Sequence, residues 1–258
     1  TQAESGMKIY TETAAAVAKG ETFSLTKLSN VFTTRDKGAD SLSQEELQAR
    51  SLEHLQAVRE RTFQSIAEES EKEWKERIWD TRDILIDSNR EEDQLAIRFA
   101  IYHLTIMTPS HDNRMNIGAK GFSGPGYKGH SFWDTEIFML PYFIFSSPKE
   151  ARSLLEHRYN SLEAAQKNAA KNGYKGAMYP WESAWITDGE VTPEWALTGL
   201  MEHHITADVA FGVYSYYTVS GDLEFMERYG YKMIFETAKF WISRLEYNEE
   251  LDRYEINH

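Results

Sequence analysis

The sequence contains no cysteine. That excludes disulfides, a thiolate nucleophile and a cysteine-ligated zinc site, and it fits a cytoplasmic setting. Positive charge is also scarce: 28 Lys and Arg stand against 41 Asp and Glu, for a net charge of −13. Nucleic-acid backbones and anionic membrane surfaces are both met by basic faces, so neither is an expected partner. No apolar run approaches the length of a membrane span. The opening TQAESGMKIY has neither the basic nor the apolar region of a signal peptide. The 6 prolines and 15 glycines form no low-complexity tract.

What the 258 residues do hold is enough apolar side chain for a core (41%) and many aromatic rings (13%). The length suits one large domain, or a domain with a piece of another. Residues 8–13 and 22–28 are rich in β-branched and aromatic types, with Phe23 and Leu25 alternating against Ser24 and Thr26. Lys19, Gly20 and Glu21 suit a turn between them, and residues 31–34 suit a further strand. Two or three strands do not stand alone, so residues 1–38 read as the last strands of a β domain. Ser43 with Glu46 is a capping box that opens a polar helical run to about Trp79. Residues 39–80 therefore read as a helical linker.

The remainder predicts about six helices joined by loops rich in Gly, Trp and acid. Residues 94–107 are apolar nearly all round, as a buried helix would be, and residues 132–145 predict another. Ser147, Pro148 and Glu150 signal a helix start, with Asn172 and Gly173 as its stop. Thr192, Pro193 and Glu194 open the next, which ends at Ser220 and Gly221, and one or two more occupy residues 222–247. Long helices alternating with loops predict a mainly α helical array or α/α barrel.

The costliest backbone lies in residues 116–136, NIGAKGFSGPGYKGHSFWDTE. Five glycines there precede His130, Phe132, Trp133, Asp134 and Glu136. Dense glycine belongs where backbone turns sharply or approaches a ligand closely. Residues 124–129 formally match G-x-G-x-x-G, yet no strand precedes them and no acid follows at a βαβ distance. The glycines thus shape a loop around a small ligand. Trp133 and Asp134 admit two readings, core packing with a helix-start acid, or the stacking face and hydroxyl acceptor of a polyol site. Tyr179, Trp181, Glu182, Trp185 and Trp195 form a second aromatic–acid stretch, open to sugar contact or to loop packing. His204 and Asp208 share a helix face, but no third metal ligand stands at a recognised spacing.

The segments NIGAKGFSGPGYKGHSFWDTEIFMLPYF, YPWESAW and EHHITADVAFGVYSYYTVSGD resemble the catalytic domain of glycoside hydrolase family 65. The resemblance covers about residues 75–258 and also matches the flanking strands and linker. It implies an (α/α)6 barrel, of which residues 81–258 would be the first half. Inverting phosphorolysis of an α-glucosidic disaccharide to β-glucose 1-phosphate would follow, with inorganic phosphate as co-substrate and no cofactor. An inverting, trehalase-like hydrolase and an inactive sugar-binding fragment are the alternatives. Trp133 and Asp134 fall on the F-W-D motif that holds the non-reducing glucose, with Phe132 beside them. Trp241 matches a tryptophan bordering that sugar, and Lys120, Tyr127 and His130 lie in the glycine loop. Pro125 stands where the family usually has glutamate. The general acid is expected in a G-P-D-E-Y motif just after His258, so no catalytic residue is assigned within the chain. A homodimer is the expected assembly of the full-length enzyme.

Overall fold

A computed structural model describes residues 2–5, 8–121 and 124–257. Phe122 and Ser123 of the glycine loop, and His258, lie outside the described residues. The chain divides into two compact units, Thr1–Trp74 and Lys75–His258.

In the first unit, β1 (Gln2–Ser5) pairs antiparallel with β2 (Lys8–Thr11). Residues 22–28 and 31–34, expected as strands, carry none. Alternation supplies a face, but a strand also needs a neighbour for its backbone groups, and among the described residues none pairs there. Helix α1 (Gln44–Arg59) starts on the expected capping box: Ser43 Oγ accepts from the Glu46 N–H at 3.2 Å, and the Ser43 N–H donates to Glu46 Oε2 at 2.8 Å. The single run expected here is split, and α2 (Phe63–Trp74) follows after residues 60–62.

The second unit opens with a π-helical turn, Lys75–Trp79, and the short α3 (Asp80–Arg82). Helix α4 (Glu91–Met107) forms where its apolar run predicts, but only Ile101 is buried, while Leu95 and Phe99 are 70% and 63% exposed. The expectation of a buried helix is corrected. Hydrophobicity creates a demand for burial, and only packing partners meet it; the described residues cover one stripe. The core lies instead among α5 (Leu140–Ser146), α6 (Pro148–Asn160), α9 (Ile205–Ser220) and α11 (Tyr231–Arg244). Phe143, Leu154, Leu155, Val213, Tyr216 and Met233 form its centre. Each such fully buried apolar side chain contributes roughly 1.5–3 kcal/mol.

Several expected boundaries shift for local reasons. Pro148 does open α6, but the Ser147 side chain makes no cap, and its carbonyl accepts from Glu150 and Ala151 instead. The helix expected to reach Asn172 breaks at Ser161, whose hydroxyl donates back to the His157 and Arg158 carbonyls. Helix α7 (Leu162–Lys171) then ends at Asn172, its C-cap. Past Pro193 the chain makes a turn rather than a helix; α8 (Thr198–Met201) is one turn long and α9 starts at Ile205. Gly221 ends α9 at φ 64, a left-handed stop that glycine takes without steric cost. After α10 (Leu223–Phe225), a π-helical turn (Met226–Gly230) and α11, an unexpected hairpin pairs β3 (Glu246–Asn248) with β4 (Arg253–Glu255).

Candidate functional site

The glycine loop folds by close backbone approach. A Cβ on Gly118 would stand 3.0 Å from the Gly129 carbonyl oxygen, so only glycine lets these two strands of loop touch. The Ala119 N–H donates to the His130 carbonyl at 3.2 Å across the same neck. At the tip, Tyr127 and Lys128 both sit at φ 53, a left-handed conformation that costs each of them about 1 kcal/mol. Strain of this kind gathers at binding sites.

Past the neck, Ser131 and Ser183 exchange two backbone hydrogen bonds, 3.0 and 2.9 Å, which join the glycine loop to the Trp181 stretch. A second tie links His130 Nδ1 to Glu182 Oε1 at 2.6 Å. The Trp181 stretch is held in turn by one carboxylate. Glu190 accepts from the backbone N–H of Trp181 (2.6 Å), Glu182 (3.2 Å) and Thr192 (3.0 Å), and from the Thr192 hydroxyl (2.6 Å).

Between the two loops lies a cavity of about 240 Å³ lined by Ala119, Lys120, Tyr127, Phe132, Trp133, Asp134 and Trp181. Its wall is aromatic with two charged groups, and its volume falls below the ~300–1,000 Å³ typical of sites for drug-sized ligands. One ring-sized polar ligand suits it. Tyr127 and Trp181 each meet Phe132 edge-on, at 5.0 and 6.1 Å between ring centroids. Lys120 Nζ stands 6.0 Å over the Tyr127 ring. Asp134 is half-buried, and its carboxylate has no hydrogen-bond partner among the described residues. Its acceptor capacity is free for a ligand.

The frame behind the cavity is a buried ion pair. Arg158 Nε and Nη2 donate to the two carboxylate oxygens of Glu136 at 2.7 and 2.8 Å, and Nη2 also donates to the Phe132 carbonyl at 2.6 Å. Both side chains are 1% exposed, so removing either leaves an uncompensated charge at a cost of roughly 3–5 kcal/mol. Nearby, His204 Nδ1 lies 2.6 Å from Asp208 Oδ2, and burial pushes the Asp208 carboxyl up against the opposing pull of that hydrogen bond.

Of the seven residues singled out in the sequence, the structure gathers Lys120, Tyr127, Phe132, Trp133 and Asp134 around one cavity. His130 is not among the lining residues and is engaged with Glu182. Trp241 does not line it; on α11 it packs against Phe240, beside Met178 and Ala169. Trp181, left open between packing and contact, is part of the wall. Glu190 was not anticipated. Its only signal in the sequence is an acid between Gly189 and Thr192, a pattern common to ordinary turns.

A family model for the glycosyl hydrolase family 65 central catalytic domain matches residues 98–258. A kojibiose phosphorylase from Halothermothrix orenii is 50% identical over 234 residues, which are 86% of this chain and 29% of that protein. A kojibiose hydrolase from Flavobacterium johnsoniae is 44% identical over 184 residues, covering 71% of this chain and 26% of that protein. A solved structure called "Putative kojibiose phosphorylase from human microbiome" superposes with a TM-score of 0.72 at 28% identity, over 85% of this chain and 28% of that one. The chain thus spans under a third of the length of these relatives. Its helical unit is part of an (α/α)6 barrel. By sequence and by fold, the chain belongs to glycoside hydrolase family 65.

Proposed function

We propose that the cavity is the glucosyl subsite of an inverting disaccharide phosphorylase. The observation that carries this is the uncommitted Asp134 carboxylate set beside Trp133 and Trp181 in a ring-sized cavity. A carboxylate accepts two adjacent hydroxyls, and an indole face stacks on the apolar face of a pyranose. An acid protonates the glycosidic oxygen while phosphate attacks C1 from the opposite side, releasing β-glucose 1-phosphate and the acceptor sugar. Asp134 favours the oxocarbenium-like ring of that transition state over the relaxed substrate. Kojibiose is the proposed donor, supported by the 50% identical phosphorylase.

Within this reading, residues 1–38, in which β1 and β2 are the described strands, belong to the end of a β-sandwich domain, 39–80 are a linker and 81–258 half a barrel. The general acid and the phosphate ligands are not assigned among these residues; the relatives are more than three times the length of the stretch they share with this chain. A cytoplasmic setting is supported by the cysteine-free composition, and a homodimer by the family resemblance.

The 44% identical kojibiose hydrolase favours one rival, water in place of phosphate. The test is the full-length gene product incubated with kojibiose, trehalose or maltose, with and without phosphate. Glucose 1-phosphate formed only when phosphate is present is the expected result; glucose released equally without it overturns phosphorolysis.

A further inference from the structure

One histidine joins the two tryptophans of the cavity. The His204 ring meets Trp133 at 4.7 Å between centroids and 86°, and Trp181 at 5.8 Å and 82°. The two indoles come from the two different loops, and the imidazole stands nearly perpendicular to both. Edge-on contacts of this kind are the favoured geometry for aromatic pairs. His204 is in turn anchored within its own helix start: it precedes α9, and Asp208 lies in the first turn of α9, four residues on. The 2.6 Å bond runs from His204 Nδ1 to Asp208 Oδ2. An ionised carboxylate only accepts, so Nδ1 carries the hydrogen and the ring plane is fixed by the bond. Glu202 Oε2, at 3.8 Å from Nε2, is beyond hydrogen-bond reach.

The same pair invites a metal assignment from sequence alone. Among the described residues no third ligand joins it. What the geometry supplies is rigidity. A sugar gains from stacking only to the extent that the indole planes are already set before it arrives.

We propose that His204, anchored by Asp208, is a positioning residue that sets the planes of Trp133 and Trp181 together for glucosyl binding. This rests on the reading of the cavity as a glucosyl subsite. It assigns His204 no contact with the sugar.

The test compares His204→Ala, His204→Phe and Asp208→Asn in the full-length enzyme. His204→Ala should raise KM for the disaccharide about tenfold, from two lost ring contacts, with kcat changed less than about threefold. It should also weaken the near-ultraviolet circular dichroism of the tryptophans while the far-ultraviolet spectrum stays unchanged. His204→Phe keeps a ring and should recover most of the KM at some loss of thermal stability. Asp208→Asn, which still accepts a hydrogen bond, should fall between. Wild-type KM and near-ultraviolet signal in His204→Ala overturn the proposal, as does a His204→Phe enzyme as impaired as His204→Ala. If His204→Ala does not fold, His204→Phe decides: near-normal KM supports the proposal, and a KM raised tenfold overturns it. A wild-type enzyme inert on every disaccharide sinks the glucosyl reading itself; the near-ultraviolet comparison then decides the packing claim alone.

Discussion

The two walls of the cavity are held in different ways. The glycine wall, the described residues of 116–131, is shaped by backbone: a contact at Gly118 that admits no Cβ, and four left-handed residues, of which Tyr127 and Lys128 at its tip are not glycine. The tryptophan wall, residues 179–192, has no left-handed residue other than Gly189 and is gathered by hydrogen bonds onto the Glu190 carboxylate. One wall is fixed by what cannot fit, the other by what must be satisfied. They should therefore fail differently, sterically on one side and through unpaired donors on the other.

The largest effect is expected at the polar group that neither wall engages. Asp134→Asn should lower kcat/KM by at least about a hundredfold, because it removes charge where the transition state develops it. The thermal midpoint should stay put, since the Asp134 carboxylate makes no hydrogen bond among the described residues; unchanged turnover would take Asp134 out of the site. Next comes the tryptophan wall. Glu190→Ala strands three backbone donors and should cost ~3 kcal/mol in urea unfolding, with Glu190→Gln recovering part of it. A neutral Glu190→Ala would show that this wall is held by packing. On the glycine wall, Gly118→Ala should cost ~2 kcal/mol as the Gly129 backbone is pushed away, and activity should fall with it. The smallest effect has the opposite sign. Lys128→Gly removes a left-handed penalty and should stabilise by at most ~1 kcal/mol; a destabilised variant would mean that the loop tip is not strained.

Much of this was legible in the residues themselves. The capping box at Ser43, the stop at Gly221 and five of the cavity residues follow from local chemistry or from a short contiguous motif. What escaped depends on partners distant in sequence. Residues 22–28 have the alternation of a strand and no pairing neighbour among the described residues, while α4 has its apolar run and is covered by them along one stripe only. The break at Ser161 turns on a hydroxyl choosing backbone carbonyls, which no periodicity encodes. His130 carries a suggestive position, but its partner Glu182 is 52 residues away, and only the fold shows that the two pair with each other. Trp241 shares a helix with core residues, and packing assigned it to them.

The joint at Ser131 and Ser183 has a consequence for how such loops diversify. Its two hydrogen bonds are backbone to backbone, so neither needs a serine hydroxyl, although both side chains are buried and a replacement has to stay small. Spacing is not. Phe132 follows the joint on one side by one residue, and Trp181 precedes it on the other by two. Successive residues of a paired segment point to opposite faces, so an inserted or deleted residue there would turn an aromatic ring out of the wall. Loops exchanged between relatives should transplant when their lengths match at this joint and its two buried positions stay small, and should fail one residue out of step.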